Sequence, residues 1–254
     1  MDKSFFLREM FHLAFLRSLA PRLAGRSYAV KGGICLRFFH RSPRLSEDMD
    51  LDVESRMPIQ TLQKNVDVTL AQGAWRSTLK THGVQEIAIS KPKQTETTQR
   101  WKVGLILAGG ERLATRLEFS RRQESLESEQ GIPEAGLLSA MGMPPFASSF
   151  YGAAAMVRQK ILALASPSRT AARDLFDLHH LFFQVRLDIR SLKDPLESGV
   201  VEKAIGKVEA FEPGDFRDQV LPFLPSDLAE LYRTSDAFSE LRQGVKDRLK
   251  EFLL

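Results

Sequence analysis

Cysteine is almost missing from this chain of 254 residues. Cys35 stands alone, so there is no internal disulfide framework, and the composition suits a reducing cytoplasm. Two residues after a glycine pair, Cys35 reads as a packed small residue rather than a nucleophile. Long apolar runs are missing too. No stretch approaches the length of a membrane-spanning helix, and Arg8, Glu9 and His12 interrupt Phe5, Phe6, Leu7 and Met10, which leaves no clean signal-peptide core. Neither sign of charge dominates: 36 Lys and Arg against 32 Asp and Glu leave a net charge of +4, which permits a polyanionic partner without demanding one. No internal repeat, low-complexity segment, Walker loop or dinucleotide fingerprint occurs. His179 and His180 have no cysteine or suitably spaced histidine to join them, which argues against zinc. With 43% hydrophobic and 27% charged residues, the chain is long enough to bury the core of one large or two modest domains.

What the chain does carry is Lys31-Gly32-Gly33, followed after a basic and aromatic segment by Ser46-Glu47-Asp48-Met49-Asp50-Leu51-Asp52. Ser27–Val30 has the character of a short buried strand, the glycines break it, and Ile34–His40 is compatible with a helix. Glycine without a Cβ lets backbone N–H groups approach a ligand, and a helix N-terminus adds partial positive charge that favours phosphate. Taken alone, the pair reads more readily as an ordinary turn. In Asp48-Met49-Asp50-Leu51-Asp52-Val53 the period of two places three aspartates on one face and three apolar residues on the other. Side chains at i and i+2 stand about 7 Å apart at Cα, a spacing at which two carboxylates can flank a pair of metal ions about 4 Å apart. Magnesium prefers such oxygen ligands and completes its shell with water and phosphate. The competing reading is a solvated acidic face, and Asp52 is assigned to it, because a third acid normally comes from a neighbouring strand.

That third acid is expected at Glu118. Trp101–Leu107 reads as a strand, Ala108-Gly109-Gly110-Glu111 as a turn and Arg112–Ser120 as the returning arm, with Leu117 and Phe119 facing one way and Arg116, Glu118 and Ser120 the other. No helix follows the second glycine pair, so it is assigned to the hairpin. On pattern alone Glu118 is as readily a surface residue. Downstream, Met156, Val157, Ile161 and Leu164 recur at helical intervals, and Lys160 beside that stripe either snorkels to solvent or is aimed into a site. Asp174 and Asp177 are one helical turn apart, and Arg173 is spaced to pair with Asp177.

Together these residues carry a resemblance. The series Lys31-Gly32-Gly33-x-x-Leu36-Arg37, Arg44-x-Ser46-x-Asp48-Met49-Asp50-Leu51 and Leu117-Glu118-Phe119-Ser120, with Gln159-Lys160-Ile161-x-Ala163 and Arg173-Asp174-Leu175-Phe176-Asp177-Leu178, resembles the AbiEii/AbiGii-type nucleotidyltransferase toxins. These belong to the DNA polymerase β-like nucleotidyltransferase superfamily, and the similarity spans residues 5 to 185. It implies a magnesium-dependent transfer of NMP from NTP to an acceptor hydroxyl, the 3′ end of tRNA, by a toxin restrained by a separate antitoxin. Asp48, Asp50 and Glu118 would hold two magnesium ions, and Glu118 would activate the attacking hydroxyl. Gly32 and Gly33 would contact the triphosphate, with Ser46, Arg44 and Asp174 also placed in substrate binding. Lys160 would neutralise phosphate charge and Asp177 would organise that lysine or the site. Ile34 and Gln159 depart from the family pattern, where a small hydroxyl residue and an acid are usual. Two other readings stay open: a small molecule or protein as acceptor, or a nucleotide-binding module without catalysis.

The expected fold class is α+β: a polymerase β-like nucleotidyltransferase domain with a small mixed sheet, followed by a C-terminal helical lobe. The expected division is a core at 1–125, a connecting loop region at 126–148 and helices at 149–254 that complete the active-site cleft. Helices are expected at 3–19, Ile59–Lys80, Ser149–Ala165, Arg169–Gln184, Glu197–Ala210, Pro225–Arg233 and Asp236–Leu253, and further strands at Val84–Ser90, Thr98–Leu107 and Arg112–Ser120.

Overall fold

The computed structural model describes residues 2–168, 170–185, 187 and 196–253. The chain divides into two units: Met1–Arg41 with Leu45–Tyr151, and Ser42–Arg44 with Gly152–Leu254.

The first unit is built on one mixed sheet of seven strands in the order β3-β4-β5-β2-β1-β7-β6. These are β1 (Tyr28–Lys31), β2 (Asp48–Glu54), β3 (Val84–Gln94), β4 (Thr98–Leu107), β5 (Arg112–Gln123), β6 (Ser128–Gly131) and β7 (Ser148–Tyr151). β2 runs parallel to β5 and β1 parallel to β7; the other pairings are antiparallel. The helices are α1 (Lys3–Leu19), α2 (Gly32–Phe39), α3 (Ile59–Ala71), α4 (Gly73–Thr81) and α5 (Ala135–Ala140). α1 is buried on every side from Leu7 to Leu16, so its three polar residues there all find partners: Arg8 with Glu47 and the Ala114 carbonyl, Glu9 with Arg37, and His12 with Thr115. Period-two alternation puts Leu113, Thr115, Leu117 and Phe119 of β5 on the same side as Trp101, Val103 and Leu105 of β4, where Trp101 donates to Asp67 of α3. The opposite side carries Arg116, Glu118, Arg100 and Lys102.

Three expectations about the elements of this unit are corrected. Ile59–Lys80 is two helices, because Gln72 is extended (φ −62°, ψ 128°) and Gly73 starts the second; the Trp75 indole N–H closes the corner on the Thr69 carbonyl at 3.0 Å. The stretch 126–148 is not a plain loop: it holds β6, α5 and the start of β7, which enlarge the sheet beyond the five strands expected. β6 pairs with β7 through backbone bonds and needs no apolar side chains of its own. Ser148–Tyr151 is strand rather than helix, set beside β1 by the Val30–Phe150 pairing and the contact between the Tyr28 and Ser148 hydroxyls at 3.1 Å. The Gly110 turn between β4 and β5 stands as expected, with a φ of 82° that glycine tolerates.

The second unit is helical among the described residues. Its helices are α6 (Ala153–Ala165), α7 (Ala172–His179), α8 (Ser198–Ala210), α9 (Pro213–Gln219), α10 (Ser226–Leu231) and α11 (Ser235–Lys250). α7 runs on into a π-helical turn, His180–Gln184, and Arg169, the expected start of that helix, lies outside the described residues. Val201, Ala204 and Val208 of α8 meet α6 and α11, and Phe176, Phe216, Tyr232 and Phe238 form an aromatic cluster with ring centroids 5.4–6.3 Å apart. Among the described residues no helix is long and apolar enough to cross a membrane.

Candidate active site

The acids of the first unit are assembled by strand register. Met49, Leu51 and Val53 are fully buried on one side of β2, which turns Asp48 and Asp50 to the other. Because β5 lies parallel beside β2, Asp50 and Glu118 are Cα partners, as are Asp48 and Arg116. Paired residues on neighbouring strands share a face, so Asp48, Asp50 and Glu118 form one acidic group. Gly32 joins it just beyond the end of β1, where Lys31 is the partner of Asp50. Gly32 opens α2 with φ at 68°, and a Cβ there would come within 3.2 Å of Asp50 Oδ2. The first turn of an eight-residue helix therefore begins against a carboxylate, with Gly32 and Gly33 half-exposed.

Cations already surround these acids. Arg116 holds Asp48 Oδ2 at 2.8 Å and approaches Glu118 Oε2 at 3.8 Å, while Arg100, the Cα partner of Glu118 on β4, binds the same oxygen at 2.6 Å. Asp50 has the most crowded position. Burial pushes its carboxyl above the ordinary carboxylate range; Arg116 and Lys31 pull it back, while Glu118 and Asp48 add to the rise. Ser46 donates its hydroxyl to the Asp48 carbonyl at 3.1 Å, which braces the start of β2.

Among the described residues no three His, Cys, Asp or Glu side chains are gathered closely enough to hold a metal ion, and guanidinium groups pair with two of the three acids. In chemistry the donor set suits a hard divalent cation, three carboxylates on one face, but the side chains would have to leave their arginine partners and close in on it.

Sequence reasoning missed Asp52, Tyr151 and the lysine of the glycine turn. Asp52 is not a solvated face residue: it is buried, accepts the Tyr151 hydroxyl at 2.9 Å and binds Lys31 Nζ at 2.6 Å. Burial and the adjacent Asp52 raise the Tyr151 pKa, which keeps the phenol a donor. Lys31 is thus fixed one residue before the turn. Nothing local in the sequence links positions 31, 52 and 151.

The later motif is placed in the second unit. Lys160 is buried and its ammonium lies 2.6 Å from both Asp174 and Asp177. Arg44 binds the two Asp177 oxygens at 2.8 and 2.9 Å, a fork matched to a carboxylate. Arg173 does not pair with Asp177; its guanidinium lies 5.5 Å from the Phe223 ring centre. Burial opposes the charge on Lys160, but Asp177 and Asp174 outweigh it and its pKa is raised. Burial likewise opposes the charge on Asp177, yet Arg44 and Lys160 hold it well below the ordinary range. Lys160 is neither snorkelling nor free: a phosphate would have to compete with two carboxylates for it.

The model of the family described as "Nucleotidyl transferase AbiEii toxin, Type IV TA system" matches residues 14–239. Among solved structures, the chain is similar to MenT4, a nucleotidyltransferase toxin from Mycobacterium tuberculosis H37Rv, at 16% identity and a TM-score of 0.56, covering 99% of this chain and 95% of that one. It is also similar to JHP933 from Helicobacter pylori, at 20% identity and a TM-score of 0.51, covering 96% and 94%. At these identities the likeness is one of fold. No match was found among the curated proteins.

Proposed function

The chain belongs to the AbiEii nucleotidyl transferase toxin family and is a nucleotidyltransferase; from that premise we propose that it uses magnesium to move NMP from an NTP to the 3′ end of tRNA. The observation that carries this reading is the row in which Asp50 faces Glu118, with Asp48 and the first turn of α2 on the same face. In the cytoplasm, where tRNA and NTP are found, the toxin acts until a cognate antitoxin on another chain restrains it.

Asp48, Asp50 and Glu118 would hold the magnesium, which supplies neutralising charge to the reacting phosphates. The backbone N–H groups of Gly32 and Gly33 receive the triphosphate at the helix N-terminus. Lys31 and Arg116 turn from Asp52 and Asp48 toward the phosphate oxygens. Glu118 takes the proton of the attacking hydroxyl as its oxygen bonds to the α-phosphorus, and the bond to pyrophosphate breaks in line with it. In the second unit Asp174 and Asp177 fix the Lys160 ammonium, and Arg44 fixes Asp177.

Purified protein incubated with magnesium, each labelled NTP in turn and total tRNA tests the reading. Label on RNA that disappears in Asp48→Ala and Asp50→Ala is expected. Label on protein instead, or equal labelling by both variants, would overturn the acceptor or the metal assignment respectively.

A further inference from the structure

The face that carries Asp48, Asp50 and Glu118 continues across β4 to the edge strand β3, and there it becomes positive. In one lateral row Glu118 is the partner of Arg100, and Arg100 of Lys93; in the next, Asp48 is the partner of Arg116, Arg116 of Lys102, and Lys102 of Ser90. Lys93 belongs to this face because the ladder slips between Ser90 and Lys93. Without the inserted residue it would share the helix side with Lys91, which binds Asp67 of α3 at 2.5 Å. Lys102 is exposed and Lys93 half-exposed, and among the described residues neither is engaged by a carboxylate. The row beyond Lys102 is low, formed by Ala114, Gly104 and Ala88, and a Cβ on Gly104 would collide with the Arg112 guanidinium lying across it.

We infer that these two rows are the track along which the single-stranded 3′ end of an RNA reaches Glu118, an inference that rests on the RNA-acceptor reading above. Neighbouring strands are about 4.8 Å apart, so the rows run roughly 10 Å from Glu118 to Lys93, enough for the last nucleotides of a strand. Lys102 in one row and Lys93 beside Arg100 in the other meet its phosphates, and the Arg112 plane offers a surface on which a base stacks. Lys93 and Lys102 are the residues on which acceptor recognition depends without any part in holding the NTP.

The test is binding of a short 5′-labelled single-stranded RNA, read by anisotropy without metal or NTP from about 50 to 200 mM salt. The double variant Lys93→Ala/Lys102→Ala is expected to bind more weakly and to lower the slope of log affinity against log salt by about 1.4, about 0.7 for each lost phosphate contact. Lys91→Ala, on the opposite face, is expected to keep the wild-type slope. An unchanged slope in the double variant, an equal fall in Lys91→Ala, or a blunt-ended duplex bound as tightly as the single strand would overturn the track. Because binding is read without catalysis, RNA labelling with an unchanged slope would sink the track alone. A normal slope change with no RNA labelling would sink the proposed reaction alone.

Discussion

Asp50 and Glu118 are Cα partners on β2 and β5, two parallel strands whose residues are more than sixty positions apart in the chain. Their side chains share a face with Asp48, and that crowding has an energetic cost. Burial and the neighbouring acids raise the folded-state pKa of Asp50 above its ordinary value of 3.8, so its charged form is less favourable folded than unfolded. For a raised carboxyl the sign is that stability falls as pH rises from the unfolded to the folded pKa, and the deficit persists at neutral pH. Asp50→Asn should therefore abolish transfer while stabilising the protein by about 1 kcal/mol, or about 2–4 °C in Tm, at pH 7. The gain should shrink as the pH is taken below the carboxylate range. Thermal scans of both proteins across pH check it, and a lower Tm for the variant at pH 7 would contradict the crowding.

Gly32 touches the same carboxylate from the other side. Its φ of 68° is strained for any residue with a Cβ, and that Cβ would stand 3.2 Å from Asp50 Oδ2. Gly32→Ala is expected to cost about 1–2 kcal/mol of stability and to weaken NTP binding more than tenfold. Calorimetry with an NTP analogue beside a denaturant titration separates the two. Native NTP affinity in this variant would show that the turn does not approach phosphate.

Much of this geometry was legible because it is local. The strand period alone put Asp48 and Asp50 on one face, and the Gly110 turn put Glu118 on the returning arm of its hairpin. That β2 would settle beside β5, bringing Asp50 opposite Glu118, is a non-local pairing that no period records. Asp52 was misread for the same reason, since Tyr151 and Lys31 reach it from other strands. β6 was missed because Ser128–Gly131 has no apolar alternation and is held by its backbone. Lys93 changes face through one inserted residue, which residue type does not announce.

In the second unit, two cations and two carboxylates compensate each other out of water. Removing Lys160 takes the shared ammonium from Asp174 and Asp177, which lie buried 2.6 Å from it, so Lys160→Met is expected to destabilise the protein by about 3–5 kcal/mol. A denaturant titration measures it. A loss of activity in this variant at unchanged stability would instead make Lys160 a substrate contact that the fold does not need. Asp177, held well below its ordinary pKa, stabilises the fold above the unfolded value of 3.8, and that contribution is lost only as pH falls below it.

His12 governs a different and less acidic window. The Thr115 hydroxyl donates to the Glu47 carbonyl at 2.6 Å, so the ring must donate Nε2–H to Thr115 Oγ1 at 2.7 Å, which makes His12 the neutral Nε2–H tautomer. Its Nδ1 is buried and has no hydrogen-bond partner among the described residues. A proton there would be an uncompensated buried charge, and burial, with Arg8 adding to it, depresses the pKa from 6.5 to about 3. A depressed histidine stabilises the fold fully above its unfolded pKa, and that stability drains away as pH falls from 6.5 toward 3. The loss is on the order of 5 kcal/mol, a large part of what a domain possesses. His12→Gln keeps a donor for Thr115 and removes the titration. Urea unfolding of the two proteins across this range should give a flatter curve for the variant, the difference growing by up to about 1.4 kcal/mol per pH unit. Parallel curves would mean that His12 is solvated or protonated in the folded state. Because Thr115 anchors Glu47, the residue before Asp48, acid opening at His12 should also release the start of β2, so transfer activity should fall together with stability in the wild type and persist to lower pH in His12→Gln.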